Sequence, residues 1–226
     1  MKLTTHFRAI AVTICGLLLP VMLVAAETPL DESWLEDDSE SRALQLNEGQ
    51  LNFIASIHDP SILHSDTHLW ITAESMQTGW VKMQQCYRHL DVVGRTDVMY
   101  AYREMKNLEV TRAEQIAQIR VKPHWVELED VEKGAELCVQ AEVRILQRLS
   151  DKTYGMQNGP YHRKFLDGYY PYHVSLTVHY PNAEMQLKRV EPKAQDGFYV
   201  TEKSGILYID SWFEGELRIR IEFSEK

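Results

Sequence analysis

Ala135-Glu136-Leu137-Cys138-Val139-Gln140-Ala141-Glu142-Val143-Arg144-Ile145 decides the fold, because its odd positions are all apolar and its even ones, Cys138 apart, are all polar. Successive residues of a strand point to opposite faces, so a repeat of two reads as one long strand with a dry face and a wet face. The same alternation sets Val174, Leu176, Val178 and Tyr180 against His173, Ser175, Thr177 and His179. It recurs in Leu217, Ile219, Ile221 and Phe223 against Arg218, Arg220 and Glu222. Half-buried strands of this kind belong to antiparallel sheets with one face on a core. Shorter strand candidates cover 63–72, 80–87, 98–102, 119–122, 125–128, 185–190, 198–201 and 206–209. Turn chemistry falls between these runs, at Thr78-Gly79, Asn158-Gly159-Pro160, Asp167-Gly168, Pro181-Asn182 and Glu214-Gly215.

This pattern predicts an all-β fold: an antiparallel sandwich or barrel, or two small β-sandwiches in tandem. The polar, turn-rich segment 151–160 marks the natural place for a subdivision, near 150–160. At most one short helix is expected, near 111–118, where Thr111 and Glu114 have the spacing of a capping box and Ile116 can face the core. With 226 residues, 44% apolar and 25% charged, the chain can bury a sizeable core, which excludes a collagenous, coiled-coil or wholly disordered protein.

At the N-terminus Lys2 and Arg8 precede an apolar run, 9–26, that ends in small residues with Val24 and Ala26 at the two positions a signal peptidase reads. Residues 1–26 are therefore expected to be a signal peptide cleaved after Ala26. A retained segment would instead be a single-span anchor, and only in that case is the membrane a partner; Pro20 and the following Glu27-Thr28-Pro29 favour cleavage. Ile14 before Cys15 does not suit lipid attachment. Cleavage removes two bases, leaving 22 basic and 33 acidic side chains and a net charge of -11. Residues 27–48 hold eight of those acids against Arg42 alone, which reads as a solvated acidic leader before a β-rich domain at 49–226. No basic stripe is present to neutralise phosphates, so nucleic acid is not an expected partner.

Two cysteines remain after cleavage, Cys86 and Cys138, and in an oxidising compartment they are expected to form one disulfide. Cys86 is in phase with Trp80, Lys82 and Gln84, and Cys138 with Glu136 and Gln140, so the bridge should join strands of one sheet on its polar side. His64, Asp66 and His68 alternate along one strand face at ~6.6 Å, close enough for neighbours to share a metal ion. A third ligand would come from His58, His89 or His124, and nothing in the sequence selects one; Asp66 hydrogen-bonding its neighbouring imidazoles is the structural reading. His173 and His179 are roughly 20 Å apart on one strand and do not share an ion. No stoichiometric transition metal is expected.

Hydrolytic signatures are missing: there is no Gly-x-Ser-x-Gly, no His-Glu-x-x-His and no phosphate-cradling glycine loop. Glu127, Glu129, Asp130 and Glu132 read as a charged strand end rather than an acid/base pair. The most unusual feature is the segment 154–180, which holds six of the eleven tyrosines together with Phe165 and the run His162-Arg163-Lys164. Tyrosine offers rigid contact area with a polar tip, and arginine grips a carboxylate with two prongs. A partner surface is therefore expected at Tyr154, Tyr161, Arg163, Lys164, Phe165, Tyr169, Tyr170 and Tyr172. Packing of the same rings over the end of the sandwich is the structural alternative.

The readings together describe an exported, periplasmic or secreted, non-enzymatic binding or accessory protein. Its expected partner is a protein or envelope component, and no cofactor is expected. The first alternative is a periplasmic metal-binding protein using His64, Asp66 and His68. The second is an enzyme whose site is assembled across loops and is not readable from sequence.

Overall fold

The computed structural model describes residues 49–55 and 62–226. The signal segment, the acidic leader and His58 lie outside the described residues. Strand β1 covers Asn52–Phe53, β2 His64–Trp70, β3 Trp80–Arg88, β4 Val93–Met99 and β5 Met105–Val121. Then come β6 (Trp125–Arg144), β7 (Gln147–Ser150), β8 (Thr153–Tyr161), β9 (Lys164–Phe165) and β10 (Gly168–Tyr169). The chain ends with β11 (Tyr172–His179), β12 (Met185–Glu191), β13 (Phe198–Lys203), β14 (Ile206–Glu214) and β15 (Leu217–Glu225). Among the described residues one helix, α1, covers Ala73–Thr78. No described helix is long and apolar enough to cross a membrane.

The expected all-β class holds, as an open sandwich rather than a closed barrel. A nine-stranded sheet runs β1-β14-β11-β2-β3-β6-β4, with β13 on β14 and β5 on β6, and a four-stranded sheet runs β12-β15-β8-β7. The large sheet joins strands from before and after 150–160, β2, β3 and β6 with β11 and β14, so the build is not two sandwiches in tandem; the smaller sheet takes its strands from 147–225, and 153–161 is one of its inner strands. All pairings are antiparallel except β2 with β11, which lie parallel with His64 opposite His173.

The alternations read from sequence become the core. Leu137, Val139 and Val143 of β6, Val174, Leu176 and Val178 of β11, and Leu217, Ile219 and Phe223 of β15 are all fully buried in one cluster. Each such side chain contributes roughly 1.5–3 kcal/mol by leaving water. Cys86 and Cys138 stand directly opposite each other on β3 and β6 and are joined by a disulfide, a bridge within one sheet as expected.

The helix is not where it was expected. Residues 111–118 lie inside β5, which pairs along β6 from Met105 to Val121 with three register shifts and positive φ at Asn107 and Gln115. Partnership with β6 overrides the capping-box spacing, and Glu114 instead pairs with Arg112. The one helix among the described residues forms after β2, where the Thr72 hydroxyl accepts from Ser75 N–H at 3.2 Å and Ser75 Oγ accepts from Thr72 N–H at 3.0 Å. Gly79 ends it at φ +79, where an added Cβ would lie 2.8 Å from the Leu146 carbonyl.

Candidate functional site

Strands β3 and β4 lie end to end along one edge of β6, facing 144–136 and then 131–125. Both edges are interrupted at the same level: His89 has positive φ after β3, and Asp130 and Gly134 have positive φ in β6. Beside this break, the end of β8 and the segment leading to β9 close over a cavity of about 440 Å³. Its wall carries five tyrosines, Tyr87, Tyr100, Tyr102, Tyr161 and Tyr172. Tyr87, Tyr100, Tyr161 and Tyr172 are buried and Tyr102 partly so.

Burial keeps these phenols protonated. It raises Tyr172 to about 12, against a smaller opposing effect from the Ser65 hydroxyl. It also lifts Tyr87, Tyr100, Tyr102 and Tyr161 above the ordinary phenol range, with the Tyr100 hydroxyl adding to the effect at Tyr87. They are neutral hydrogen-bonding groups throughout the physiological range.

Asn158, 1% exposed, is the polar centre of the wall. Its Oδ1 accepts from the Tyr102 hydroxyl at 2.6 Å and from Gly159 N–H at 2.9 Å. A backbone N–H is donor only, so the side-chain atom facing it is the oxygen and the amide orientation is fixed. The Nδ2 group on the other side is buried without a hydrogen-bond partner. Gly159 sits at φ +94 with its would-be Cβ 2.6 Å from the Leu217 carbonyl, a position that only glycine fills.

The mouth is held by an ion pair. Arg163 Nε donates to Asp91 Oδ2 at 3.0 Å, a second guanidinium N–H donates to Asp91 Oδ1, and Nη1 donates to the Pro171 carbonyl at 3.3 Å. The Arg163 guanidinium, expected from the sequence to grip a partner, has its fork occupied by Asp91 in the folded chain. The pair ties the β3–β4 loop to the β9–β10 hairpin and so shapes the opening.

The eight residues expected as a partner surface divide accordingly. Tyr154, Tyr161 and Tyr172 are core residues, and their burial removes them from any surface contact. Tyr161, Arg163, Lys164, Phe165 and Tyr172 line the cavity. Lys164, Phe165, Tyr169 and Tyr170 belong to the hairpin region, where the Lys164 ammonium lies 5.2 Å from the Tyr169 ring and Phe165 packs edge-on to Tyr170 at 5.3 Å. Phe165 and Leu166 are exposed at its tip. Gln85, Tyr87, Tyr100, Tyr102 and Asn158 were missed by sequence reasoning, because the first four fell in ordinary strand patterns and Asn158 read as a turn residue.

A second polar cluster lies on the outer face of the large sheet. The parallel register stacks His64 on His173 at 4.0 Å and His173 on Trp212 at 3.9 Å, both within 12° of coplanar. His64 Nε2 meets Ser175 Oγ at 2.9 Å, Ser175 donates to Asp210 at 2.9 Å, and Asp210 is 2.7 Å from His173 Nε2. Burial lowers His64 to about 4, and neighbouring His173 pushes the same way. Burial works against ionisation of Asp210, but hydrogen bonds from His173, Ser175 and Tyr208 outweigh it and hold the carboxyl below its ordinary value. His68 lies 3.5 Å from Asp66, whereas His64 turns to Ser175, so the alternative metal set of His64, Asp66 and His68 does not converge. Among the described residues, no group of three or more His, Cys, Asp or Glu is arranged to hold a metal ion. Glu127 and Glu129 both pair with Arg120 of β5.

No protein-family model and no curated protein matches the chain. Solved structures that the chain matches include a mutant of an M1 zinc metallopeptidase from Deinococcus radiodurans bound to a Tyr-Ser-Ala substrate, at 13% identity and TM-score 0.41, covering 79% of this chain and 43% of that one. Another structure of the M1 zinc metallopeptidase from Deinococcus radiodurans is similar at 13% identity and TM-score 0.38, with coverage of 79% and 43%. This chain thus spans less than half the length of those it resembles.

Proposed function

We propose that this is an exported, non-enzymatic binding protein that holds a small molecule in the cavity beneath the β3–β4 break. The cavity carries the reading: about 440 Å³ of space lined by tyrosine rings and by an amide whose buried donor has no partner. That volume falls in the range of small-molecule pockets, about 300–1,000 Å³, and a few convergent polar groups in an aromatic wall are their usual build. Neutral phenols and amides bind a ligand without offering a nucleophile or a charged base. The signal-like N-terminus and the Cys86–Cys138 disulfide support an oxidising compartment outside the cytoplasm. A protein or envelope component meets the chain at the β9–β10 hairpin, where Phe165 and Leu166 are exposed.

The test is a titration with Nile red, an uncharged polycyclic dye, monitored by emission and by NMR of ring-labelled tyrosines. One dye per chain should bind, with its emission shifted to the blue. The perturbed signals should be those of Tyr87, Tyr100, Tyr102, Tyr161 and Tyr172. Binding that never saturates, or that perturbs only the exposed Tyr199 and Tyr208, would refute the reading.

A further inference from the structure

We infer that the cavity selects an uncharged, ring-bearing ligand and fixes it through a carbonyl or ether oxygen that accepts a hydrogen bond from Asn158 Nδ2. This rests on the cavity being the binding site and adds the chemical class of its ligand. Leaving a buried amide donor unpaired costs about 1–3 kcal/mol, so a wall that contains one is completed by an acceptor from outside the chain. The orientation of the amide is not adjustable, because Gly159 N–H and the Tyr102 hydroxyl both hold Oδ1. The wall therefore presents a donor at this point and cannot turn to present an acceptor.

Charge is excluded by the same wall. Arg163 and Asp91 neutralise each other at the mouth, and the remaining charged lining residues, Asp97 and Lys164 among them, are exposed at the rim. Inside, the polar groups are Gln85, Asn158 and tyrosine hydroxyls, of which those of Tyr100 and Tyr161 are also buried without a partner and, as neutral phenols, can donate to the same ligand. A charged ligand would lose its hydration there without meeting an opposite charge, whereas a neutral one gains stacking area from the rings. A ligand with a flat ring system and one oxygen acceptor answers both the donor and the aromatic lining.

Nile red and Nile blue share a fused-ring skeleton; the first carries a neutral ring carbonyl where the second carries a cationic iminium that donates. On the full chain, Nile red should bind at one per chain at least tenfold more tightly than Nile blue. Asn158→Asp keeps an oxygen for Tyr102 and Gly159 but replaces the free donor, and should weaken Nile red at least tenfold while leaving Nile blue unweakened. Because that variant buries a carboxyl and can fail to fold, the contrast between the two dyes on the unmodified chain decides independently. Equal affinities for the two dyes, or a folded Asn158→Asp that binds Nile red as the unmodified chain does, would overturn the inference while the cavity reading stands; water then fills the place of the acceptor. If neither dye binds at one per chain, the cavity reading falls and the inference with it.

Discussion

Removing either partner of the Arg163–Asp91 pair should destabilise the protein by about 2–3 kcal/mol, with about 1–2 kcal/mol of that shared between them. The pair is two-pronged, and its side chains are 18% and 28% exposed, so it lies between two measured limits. Exposed ion pairs contribute about 0–1 kcal/mol, and breaking a buried pair costs about 3–5 kcal/mol. Arg163 also donates to the Pro171 carbonyl and lies 5.6 Å from the Phe165 and Tyr170 rings, so Arg163→Ala should cost more than Asp91→Ala. Urea unfolding of the parent, both single variants and the double variant at pH 7 gives the coupling energy directly. It should persist in 1 M salt, where freely exposed charges are screened within ~3 Å. A coupling below ~0.5 kcal/mol, or one abolished by salt, would mean that the hairpin is not held to the β3–β4 loop in this way. The position of Arg163 at the cavity mouth adds a second readout: Arg163→Ala should weaken Nile red binding.

Tyr161→Ala should cost about 3–5 kcal/mol by emptying a core aromatic site, whereas Tyr170→Ala, on the half-exposed hairpin, should cost ~1 kcal/mol or less; equal losses in thermal unfolding would contradict this division of the tyrosine-rich segment. Replacing Cys86 and Cys138 together by Ala opens a cross-link between residues 52 positions apart and should lower stability by about 4 kcal/mol on the chain-entropy model, read from denaturation midpoints. The outer-face histidines predict a pH dependence. Burial and His173 lower His64 from 6.5 to about 4, so the folded state favours the neutral imidazole, and the contribution is full above pH 6.5 and lost as pH falls from 6.5 to about 4. Allowing for screening of a half-buried ring, the loss is about 1–2 kcal/mol, and His64→Gln should remove it from the stability profile. The depressed Asp210 carboxyl loses its own contribution only below its ordinary value of 3.8, outside that window.

The strands legible in sequence are those with one dry face. In 135–145 and 217–223 the apolar side chains alternate with residues that face water, and in 174–180 with polar residues of which Ser175 and Thr177 are themselves buried; the apolar sets are the core. Strand β5 carried no such signal before its last residues, 119–121. Its side chains are exposed or half-buried on both faces, so no period of two survived, and a local capping-box spacing stood unopposed until pairing with β6 decided the conformation. Helix α1 escaped for a related reason: six residues are too few for a helical period, and it is specified by Thr72, Ser75 and Gly79 alone.

The two polar sites required knowledge of pairing that no local pattern carries. His64 and Ser175 are 111 positions apart and meet because β2 and β11 run parallel, which places His173 rather than His68 beside His64. The tyrosine-rich segment stood out by composition, but which rings turn inward depends on the strand phase of β8 and β11 and on the break between β3 and β4. Asn158-Gly159-Pro160 shows the limit most clearly. Its turn chemistry is real, with Gly159 at positive φ, yet the Asn158 side chain spends its oxygen on that turn and on Tyr102. The same bonds that build the turn leave the amide donor unpaired in the cavity wall, so a residue read as punctuation supplies the group on which ligand selection turns.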